Sequence, residues 1–217
     1  MNIASYIDHT ALKQHTTLEE INQLCAEAIA NNFKAVCIPP FYVADAVQLL
    51  KDLDVKVSTV IGFPLGYSSI NSKLAEIKEA IAAGADELDF VINLCALREG
   101  NWAYLEKEIV ACLQPVRLNR KIIKIIIESG TIFDNEIINC CNLYAKHKVD
   151  FLKTSTGFAE KGAEVYAVSL MRKHLPQEIE IKASGGIRTF AFAKELIEAG
   201  ATRIGASASI AIINQNT

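Results

Sequence analysis

Short runs of apolar and β-branched residues recur along the chain, and the stretches between them have the periodicity of amphipathic helices. The runs are spaced by roughly 20 to 35 residues, and each predicts a β-strand. Strands that alternate with helices in this way are typical of βαβ units and a parallel sheet. The eight runs centre near Tyr6, Val36, Val57, Leu88, Ile125, Leu152, Ile181 and Ile204.

The clearest helix is predicted over residues 17–31. Thr17 and, three residues later, Glu20 form a capping box that marks its start. Two other predicted helices end alike, with Gly84 and Gly200 at the C′ position, where glycine commonly adopts a left-handed conformation with positive φ, and each leads directly into a strand. The same unit is therefore reused along the chain. The apolar stripe of the 17–31 helix consists of Leu18, Ile21, Leu24, Cys25, Ala28 and Ile29.

Eight strands, each followed by a helix, predict a single (β/α)8 TIM barrel of the α/β class. We expect it to fill residues 1–217 as one domain, because no linker, charge block or low-complexity tract marks a boundary. A doubly wound open sheet is the alternative. That fold usually has fewer strands and a glycine-rich fingerprint after the first one, where this chain has Asp8, His9 and Thr10.

The composition narrows the class of protein. Hydrophobic residues make up 51% and charged residues 22% of the 217 positions, which indicates a folded chain with a large core. The apolar run 122–127, interrupted by Lys124, is far shorter than the roughly 20 residues of a membrane helix. The net charge of -3 lacks the basic surplus that binding to a phosphate backbone uses. We therefore expect no membrane and no nucleic-acid partner, and a small-molecule ligand instead.

The six cysteines form no C-x-x-C pair, and we expect them to be reduced core residues. The N-terminus lacks the basic start and apolar run of a signal peptide. Together these features predict a cytoplasmic protein. No H-x-x-H or H-E-x-x-H spacing is present, so we expect neither a metal nor another cofactor.

Two lysines lie near the ends of neighbouring predicted strands, where parallel barrels place their active sites. Lys153 follows the sixth run and Lys182 the seventh. Apolar surroundings and a nearby second ammonium group both lower the pKa of a lysine, which frees its amine to attack carbonyl groups. Two alternatives stay open at this point. A single lysine can instead reach the rim and stay charged, and strand alternation can point one of the two into the helix layer.

Asp89 lies on the fourth predicted strand between Leu88 and Phe90. A carboxylate is costly to bury there without a partner, and a lysine across the barrel would supply one. In that position Asp89 would hold a water molecule or move a proton. A purely structural ion pair is the alternative.

Glycine-rich loops follow the last two predicted strands, at residues 185–189 and 204–207. Glycine lets the backbone approach an anion closely, and barrels often bind phosphate at this place, so we expect a phosphorylated ligand. Ser207 would add a hydroxyl donor, and Arg188 a charge if it points inward. The segment 62–66 is expected to form a constrained turn at the same mouth.

Eight sequence blocks are distributed over nearly the whole chain, in the order YIDHTALK, VCIPPFYV, VIGFPLG, GADELDFVIN, KIIIES, DFLKTSTGF, IKASGGIRT and GATRIGAS. These blocks resemble those of the 2-deoxyribose-5-phosphate aldolases, a family of class I aldolases with the TIM-barrel fold. The resemblance implies reversible cleavage of 2-deoxy-D-ribose 5-phosphate to D-glyceraldehyde 3-phosphate and acetaldehyde, in deoxyribonucleotide catabolism, by a homo-oligomer that is a dimer or larger.

The resemblance also implies roles for individual residues. Lys153 matches the Schiff-base lysine, Lys182 the second lysine that perturbs it, and Asp89 the carboxylate that helps to relay protons. The implied phosphate contacts fall on Gly157, Gly185, Gly186 and Ser207.

The sequence departs from the family at three places. Ala208 replaces a serine that many members have, and Tyr67 and Ser68 stand where an Ala-Asn type pair is common. Some members carry a C-terminal tail with a functional tyrosine, and this sequence ends at Thr217 without one. We therefore expect residues inside the barrel to carry the proton transfer. Two other functions stay open: a related Schiff-base barrel acting on another phosphorylated sugar or aldehyde, and a barrel that only binds a phosphate metabolite.

Overall fold

The computed structural model describes residues 1–215, in which eight parallel strands close into a barrel. Each strand pairs with the next one along the chain, and the last pairs with the first. The predicted (β/α)8 barrel is confirmed. Asn216 and Thr217, at the end where we noted no tyrosine tail, lie outside the described residues. The strands are β1 (Ile7–Thr10), β2 (Ala35–Ile38), β3 (Lys56–Ile61), β4 (Glu87–Val91), β5 (Ile122–Ile126), β6 (Phe151–Lys153), β7 (Glu180–Ser184) and β8 (Arg203–Ala206).

Helices follow each strand and surround the barrel, and β4 is followed by two of them. Short 3-10 helices occupy Ile3–Tyr6, Pro40–Tyr42 and Ser129–Thr131. The α-helices of the described residues are α1 (Leu18–Asn31), α2 (Val43–Leu49), α3 (Ile70–Ala82), α4 (Leu94–Arg98), α5 (Trp102–Leu118), α6 (Asp134–Lys146), α7 (Val165–His174), α8 (Phe190–Glu198) and α9 (Ser209–Asn214).

The predicted centre of the first strand, Tyr6, is the one strand centre that lies outside its strand. Tyr6 ends a 3-10 helix, and β1 begins one residue later at Ile7. Three of its four residues are polar, so the strand lacks the apolar run by which the others are recognised. Asp8 is nevertheless fully buried, because it points into a charged barrel interior.

Helix α1 has the predicted start. The Thr17 hydroxyl accepts the Glu20 N–H at 3.3 Å, and the Glu20 carboxylate accepts the Thr17 N–H at 2.7 Å. The predicted stripe is buried at Ile21, Leu24, Cys25 and Ala28, but Leu18 and Ile29 at its two ends are exposed. Gly84 and Gly200 adopt the predicted positive φ after their helices.

The apolar core lies between the strands and the helices. In β5 the apolar cluster contains Ile123 and Ile125, whereas Lys124, which lies between them, points to the other face of the strand. The interior of the barrel at this level is therefore charged. This arrangement buries ionisable side chains inside the closed β-sheet.

The cysteine prediction is correct for five of the six residues. All six thiols are free and five are buried, but Cys95 near the start of α4 is exposed. Within residues 1–215, no helix combines the length and the hydropathy needed to cross a bilayer.

Candidate active site

Lys153 and Lys182 lie side by side on neighbouring strands. Lys153, the last residue of β6, is in parallel register with Lys182 in β7. Residues in register point to the same face of a sheet, so both side chains enter the barrel. Neither lysine reaches the rim, since their exposed fractions are 2% and 0%. The structure thus excludes both alternatives that the sequence left open for this pair.

Asp89 in β4 binds both lysines across the barrel. Its Oδ2 accepts hydrogen bonds from Lys153 Nζ and Lys182 Nζ, each at 2.7 Å. Its Oδ1 accepts from Lys124 Nζ at 2.8 Å and from the Ser58 hydroxyl at 3.1 Å. The structure therefore brings the three predicted chemical residues into direct contact. A carboxylate between two amines is well placed to move protons between them.

Deeper charged residues complete this network, and the sequence analysis did not select any of them. Lys182 Nζ also binds Asp8 at 2.5 Å, and Lys124 Nζ binds Glu87 at 2.6 Å. Arg203 bridges the two carboxylates, at 2.6 Å from Asp8 and 3.0 Å from Glu87. One signal for them was present in the sequence. Lys124 interrupts an apolar strand, and burial of such a lysine costs free energy unless the interior that surrounds it is polar. Its position in the sequence therefore indicated a polar barrel interior.

The three lysines of the network differ in the direction of their pKa shifts. Burial lowers the pKa of Lys153, and the Lys182 ammonium lowers it further against the opposing effect of Asp89. Burial acts on Lys182 in the same direction, but Asp8 and Asp89 outweigh it and raise the Lys182 pKa. The Lys124 pKa is also raised, because Asp89 and Glu87 outweigh burial. Lys153 is therefore the lysine whose free amine is favoured.

The charges of the network lead to the same conclusion. Burial would raise the pKa of Asp89, yet Lys124, Lys153 and Lys182 hold it well below the usual range, so this carboxylate stays ionised. Loss of one proton would balance the network, and Lys153 is the lysine of the network whose pKa is lowered. In its free-amine form Lys153 would lie in contact with a proton acceptor, Asp89. The four cations are Lys124, Lys153, Lys182 and Arg203, and the three carboxylates are Asp8, Glu87 and Asp89.

The loops after β6, β7 and β8 surround a cavity of about 490 Å³ that reaches Lys153. The four predicted phosphate residues, Gly157, Gly185, Gly186 and Ser207, all line it. The three glycines have φ values of 86°, 91° and 77°, which only glycine adopts without strain. A Cβ on Gly185 would lie 2.9 Å from the Gly162 Cα, so this loop has no room for a side chain. The amine and an anion-binding type of loop therefore face one cavity.

Arg188 and Ser207 lie at the rim of this cavity, and both are exposed. Within residues 1–215, Arg188 forms no ion pair, so its guanidinium is available to an anionic ligand. Ala208, which replaces the second serine of the family pattern, contributes no hydroxyl here. Phosphate binding at this end of the cavity would rest on backbone groups, one hydroxyl and one guanidinium.

A second cavity of about 410 Å³ adjoins the first at the loops after β1, β2 and β3. The predicted turn 62–66 contributes Phe63, whose ring contacts the Phe158 ring edge-on at 5.2 Å. Gly66 closes this turn through a 2.8 Å hydrogen bond from its N–H to the Gly62 carbonyl. The mouth thus has a glycine-rich polar side and an apolar side. The apolar side is formed by Pro39, Pro40, Phe41, Phe63 and Pro64.

Cys37 and His9 are two further residues close to the site, and their surroundings differ. Cys37 Sγ lies 3.8 Å from Asp89 Oδ2, and burial raises the pKa of its thiol, which keeps it neutral. His9 contacts the helix layer, at 2.9 Å from the Ser209 hydroxyl and 2.7 Å from Glu27. Among residues 1–215, no group of three or more His, Cys, Asp or Glu side chains is arranged to hold a metal ion.

Comparison with known proteins places this chain in a family. The family model described as DeoC/LacD family aldolase matches residues 2–214. A deoxyribose-phosphate aldolase of Caldicellulosiruptor saccharolyticus is 47% identical over 215 residues, which cover 99% of this chain and 98% of the relative. One from an Exiguobacterium species is 49% identical over 98% of this chain and 96% of the relative. The tetrameric deoxyribose phosphate aldolase structure from Aeropyrum pernix has a TM-score of 0.92 and 30% identity, and the match covers 99% of this chain and 90% of that one.

The fold and these similarities define a barrel enzyme of the lyase class, an aldolase that acts on small molecules. The chain belongs to the DeoC/LacD family of aldolases. The family resemblance recognised in the sequence is confirmed.

Proposed function

We propose that this chain is a deoxyribose-phosphate aldolase that reversibly cleaves 2-deoxy-D-ribose 5-phosphate to D-glyceraldehyde 3-phosphate and acetaldehyde. The observation that carries the proposal is the position of Lys153. Its pKa is lowered by burial, its Nζ lies 2.7 Å from Asp89, and it lines one cavity with the glycine loops. An amine nucleophile and an anion-binding loop are the two features that an aldehyde with a distant phosphate requires.

The first half of the reaction forms a Schiff base. Lys153 Nζ attacks C1 of the open-chain sugar, and the resulting carbinolamine loses water to form an iminium ion. Water leaves only after its oxygen takes up a proton, and the amine must lose one. Asp89 and Lys182 accept and supply these protons, because they form a continuous hydrogen-bonded chain with Lys153.

The second half breaks the carbon–carbon bond. The iminium withdraws the electron pair of the C2–C3 bond while the C3 hydroxyl loses its proton, which releases glyceraldehyde 3-phosphate and leaves an enamine. Protonation at C2 regenerates an iminium, and its hydrolysis releases acetaldehyde and the free Lys153 amine. The loops at Gly157, Gly185, Gly186 and Ser207 hold the phosphate, which fixes C1 of the sugar toward the amine.

Trapping of the Schiff base tests this assignment. Borohydride reduction in the presence of acetaldehyde should attach an ethyl group to Lys153, which peptide mass spectrometry locates. Lys153→Leu should lose both the label and the cleavage of 2-deoxyribose 5-phosphate, measured by coupled detection of glyceraldehyde 3-phosphate. A label on another lysine, or full activity of Lys153→Leu, contradicts the mechanism.

A substrate panel tests the specificity. The enzyme should cleave 2-deoxyribose 5-phosphate faster than 2-deoxyribose and faster than other phosphorylated sugars. Preference for another phosphorylated sugar would assign the same lysine chemistry to a different substrate, and ligand binding without any turnover would indicate a binding protein.

We also propose that the enzyme is a homo-oligomer in the cytoplasm, part of deoxyribonucleotide catabolism. The tetrameric relative from Aeropyrum pernix supports an oligomer. The free thiols of all six cysteines support a reducing compartment. Light scattering of the purified protein tests the first statement, and fractionation of the source cells tests the second.

A further inference from the structure

A buried carboxylate outside the lysine network lies beside the predicted phosphate loops. Glu128, two residues after β5, is only 3% exposed and has a φ of 52°. This left-handed conformation is strained for a residue with a side chain. Within residues 1–215, Glu128 forms no ion pair, so its buried carboxylate depends on hydrogen bonds for compensation. Strain and burial at one residue need a structural or functional reason.

Among residues 1–215, all the hydrogen bonds of the Glu128 carboxylate come from Thr156. The Thr156 N–H donates to the two oxygens at 3.1 and 3.3 Å, and the Thr156 hydroxyl donates to Oε2 at 2.5 Å. The same hydroxyl accepts the Phe158 N–H at 3.1 Å. Glu128 therefore fixes the backbone on both sides of Gly157.

Gly157 is the point where this loop meets the next one. A Cβ on Gly185 would lie 3.3 Å from the Gly157 Cα, so the two loops are in van der Waals contact at the cavity. The turn that carries Glu128 is anchored in the same region, because the Ser129 N–H donates to the Thr154 carbonyl at 2.7 Å. A displacement of Gly157 would therefore disturb the predicted phosphate site and leave the strand that carries Lys153 in place.

We infer that Glu128 is a positioning residue, which holds the loop 156–158 so that Gly157 meets the phosphate end of the substrate. This inference rests on the proposed function, and it assigns Glu128 no contact with a reacting atom. A competing role also exists, because Lys153 is close enough to lower the pKa of Glu128, although burial has the larger effect and raises it. The two roles differ in what they change. A loop clamp affects recognition of the phosphate, whereas a charge beside Lys153 affects the chemistry.

The decisive measurement compares a phosphorylated and an unphosphorylated sugar. For Glu128→Ala we expect the KM for 2-deoxyribose 5-phosphate to rise about tenfold while kcat stays within about threefold, because a charge-assisted hydrogen bond is lost at the binding end only. Cleavage of 2-deoxyribose should change by less than about threefold, and the inhibition constant of inorganic phosphate in that reaction should rise about tenfold.

Three further variants complete the design. Glu128→Gln keeps an oxygen for the Thr156 N–H and can donate to the Thr156 hydroxyl, so its KM should rise by less than about threefold. Thr156→Val keeps the shape and removes the hydroxyl, so it should show the Glu128→Ala pattern at smaller amplitude. Ser129→Ala is the matched control, because this neighbouring buried hydroxyl has no hydrogen-bond partner among the described residues.

Two results would overturn the inference. An equal loss of activity with the two sugars would indicate that Glu128 stabilises the fold as a whole, and a shifted pH–rate profile for Glu128→Gln would indicate that Glu128 acts on Lys153. If Glu128→Ala does not fold, the comparison of the two sugars is made with Thr156→Val. A loss confined to 2-deoxyribose 5-phosphate supports the inference, and an equal loss with both sugars overturns it. A wild-type enzyme that does not cleave 2-deoxyribose 5-phosphate contradicts the proposed function instead.

Discussion

Replacement of Lys182 by methionine removes one positive charge from the barrel interior and keeps most of the side-chain volume. In the wild-type network, four cations face three carboxylates, and Lys153 is the lysine of the network whose pKa is lowered. Without Lys182, three cations balance three carboxylates while Lys153 remains an ammonium. Asp89 then keeps Lys153 charged, so the Lys182→Met variant should raise the pKa of Lys153.

The size of the effect follows from the geometry. Both ammonium groups lie 2.7 Å from Asp89 Oδ2, so their nitrogen atoms are separated by no more than twice that distance. With an effective dielectric constant of about 20, two unit charges at this separation repel by about 3 kcal/mol, which corresponds to a factor on the order of 100 between ammonium and amine. Near neutral pH, kcat/KM should fall by about that factor, and the acid limb of the pH–rate profile should move to higher pH.

The assay measures kcat/KM across pH by coupled detection of glyceraldehyde 3-phosphate, together with the pH dependence of borohydride trapping at Lys153. Lys73→Met is the matched control, because Lys73 is a buried lysine paired with Glu108 outside the barrel interior. It should lower stability without moving the acid limb. A Lys182→Met enzyme whose activity falls equally at every pH would refute the reasoning, since Lys182 would then not control the charge of Lys153.

Asp89→Asn should lower kcat by about 100-fold or more, because it removes the proton acceptor next to Lys153; the coupled assay measures kcat, and circular dichroism verifies the fold. The free energy of unfolding in urea should fall as the pH drops below about 4, since Asp8 and Asp89 have pKa values in the folded state below the ordinary value and must take up protons on unfolding; equal stability at lower pH would contradict this. Gly185→Ala should lower the free energy of unfolding by about 1–3 kcal/mol and raise KM for the phosphorylated sugar, because its φ is 91° and its Cβ would meet Gly162. Gly100→Ala, at a φ of 64° with open space around the Cβ, is the control that changes the backbone conformation alone.

Much of the fold could be predicted because its signals are local. The capping box of Thr17 and Glu20 and the terminal glycines Gly84 and Gly200 need only neighbouring residues to act, and all are present as predicted. The first strand was misplaced because its residues are mostly polar, and their burial depends on partners that are distant in the sequence. Asp8 is buried through its contacts with Lys182 and Arg203, far along the chain.

Some residues of the candidate site could likewise be predicted from the sequence, and others could not. Lys153, Lys182 and Asp89 could be selected from the sequence because each lies in a distinctive block at a strand end, and the order of those blocks is specific to a family. Glu128 also lies in one of these blocks, KIIIES, but nothing in the sequence indicates that its side chain is buried, since a glutamate after a strand is ordinarily a solvated loop residue. Its burial follows from the packing of the β6–α7 loop against the turn at Ser129, which no local pattern indicates.

The sequence by itself determined the number of βα units, their helix ends and the residues able to perform lysine chemistry, because strand period, helix period and capping all act over a few residues. Only the tertiary structure decided which charges meet. Closure of β8 onto β1 brings Arg203 to Asp8, and the register of β6 with β7 places Lys153 beside Lys182. The lowered pKa of Lys153 also results from the tertiary structure, because it depends on burial and on the charges that surround the lysine in the closed barrel.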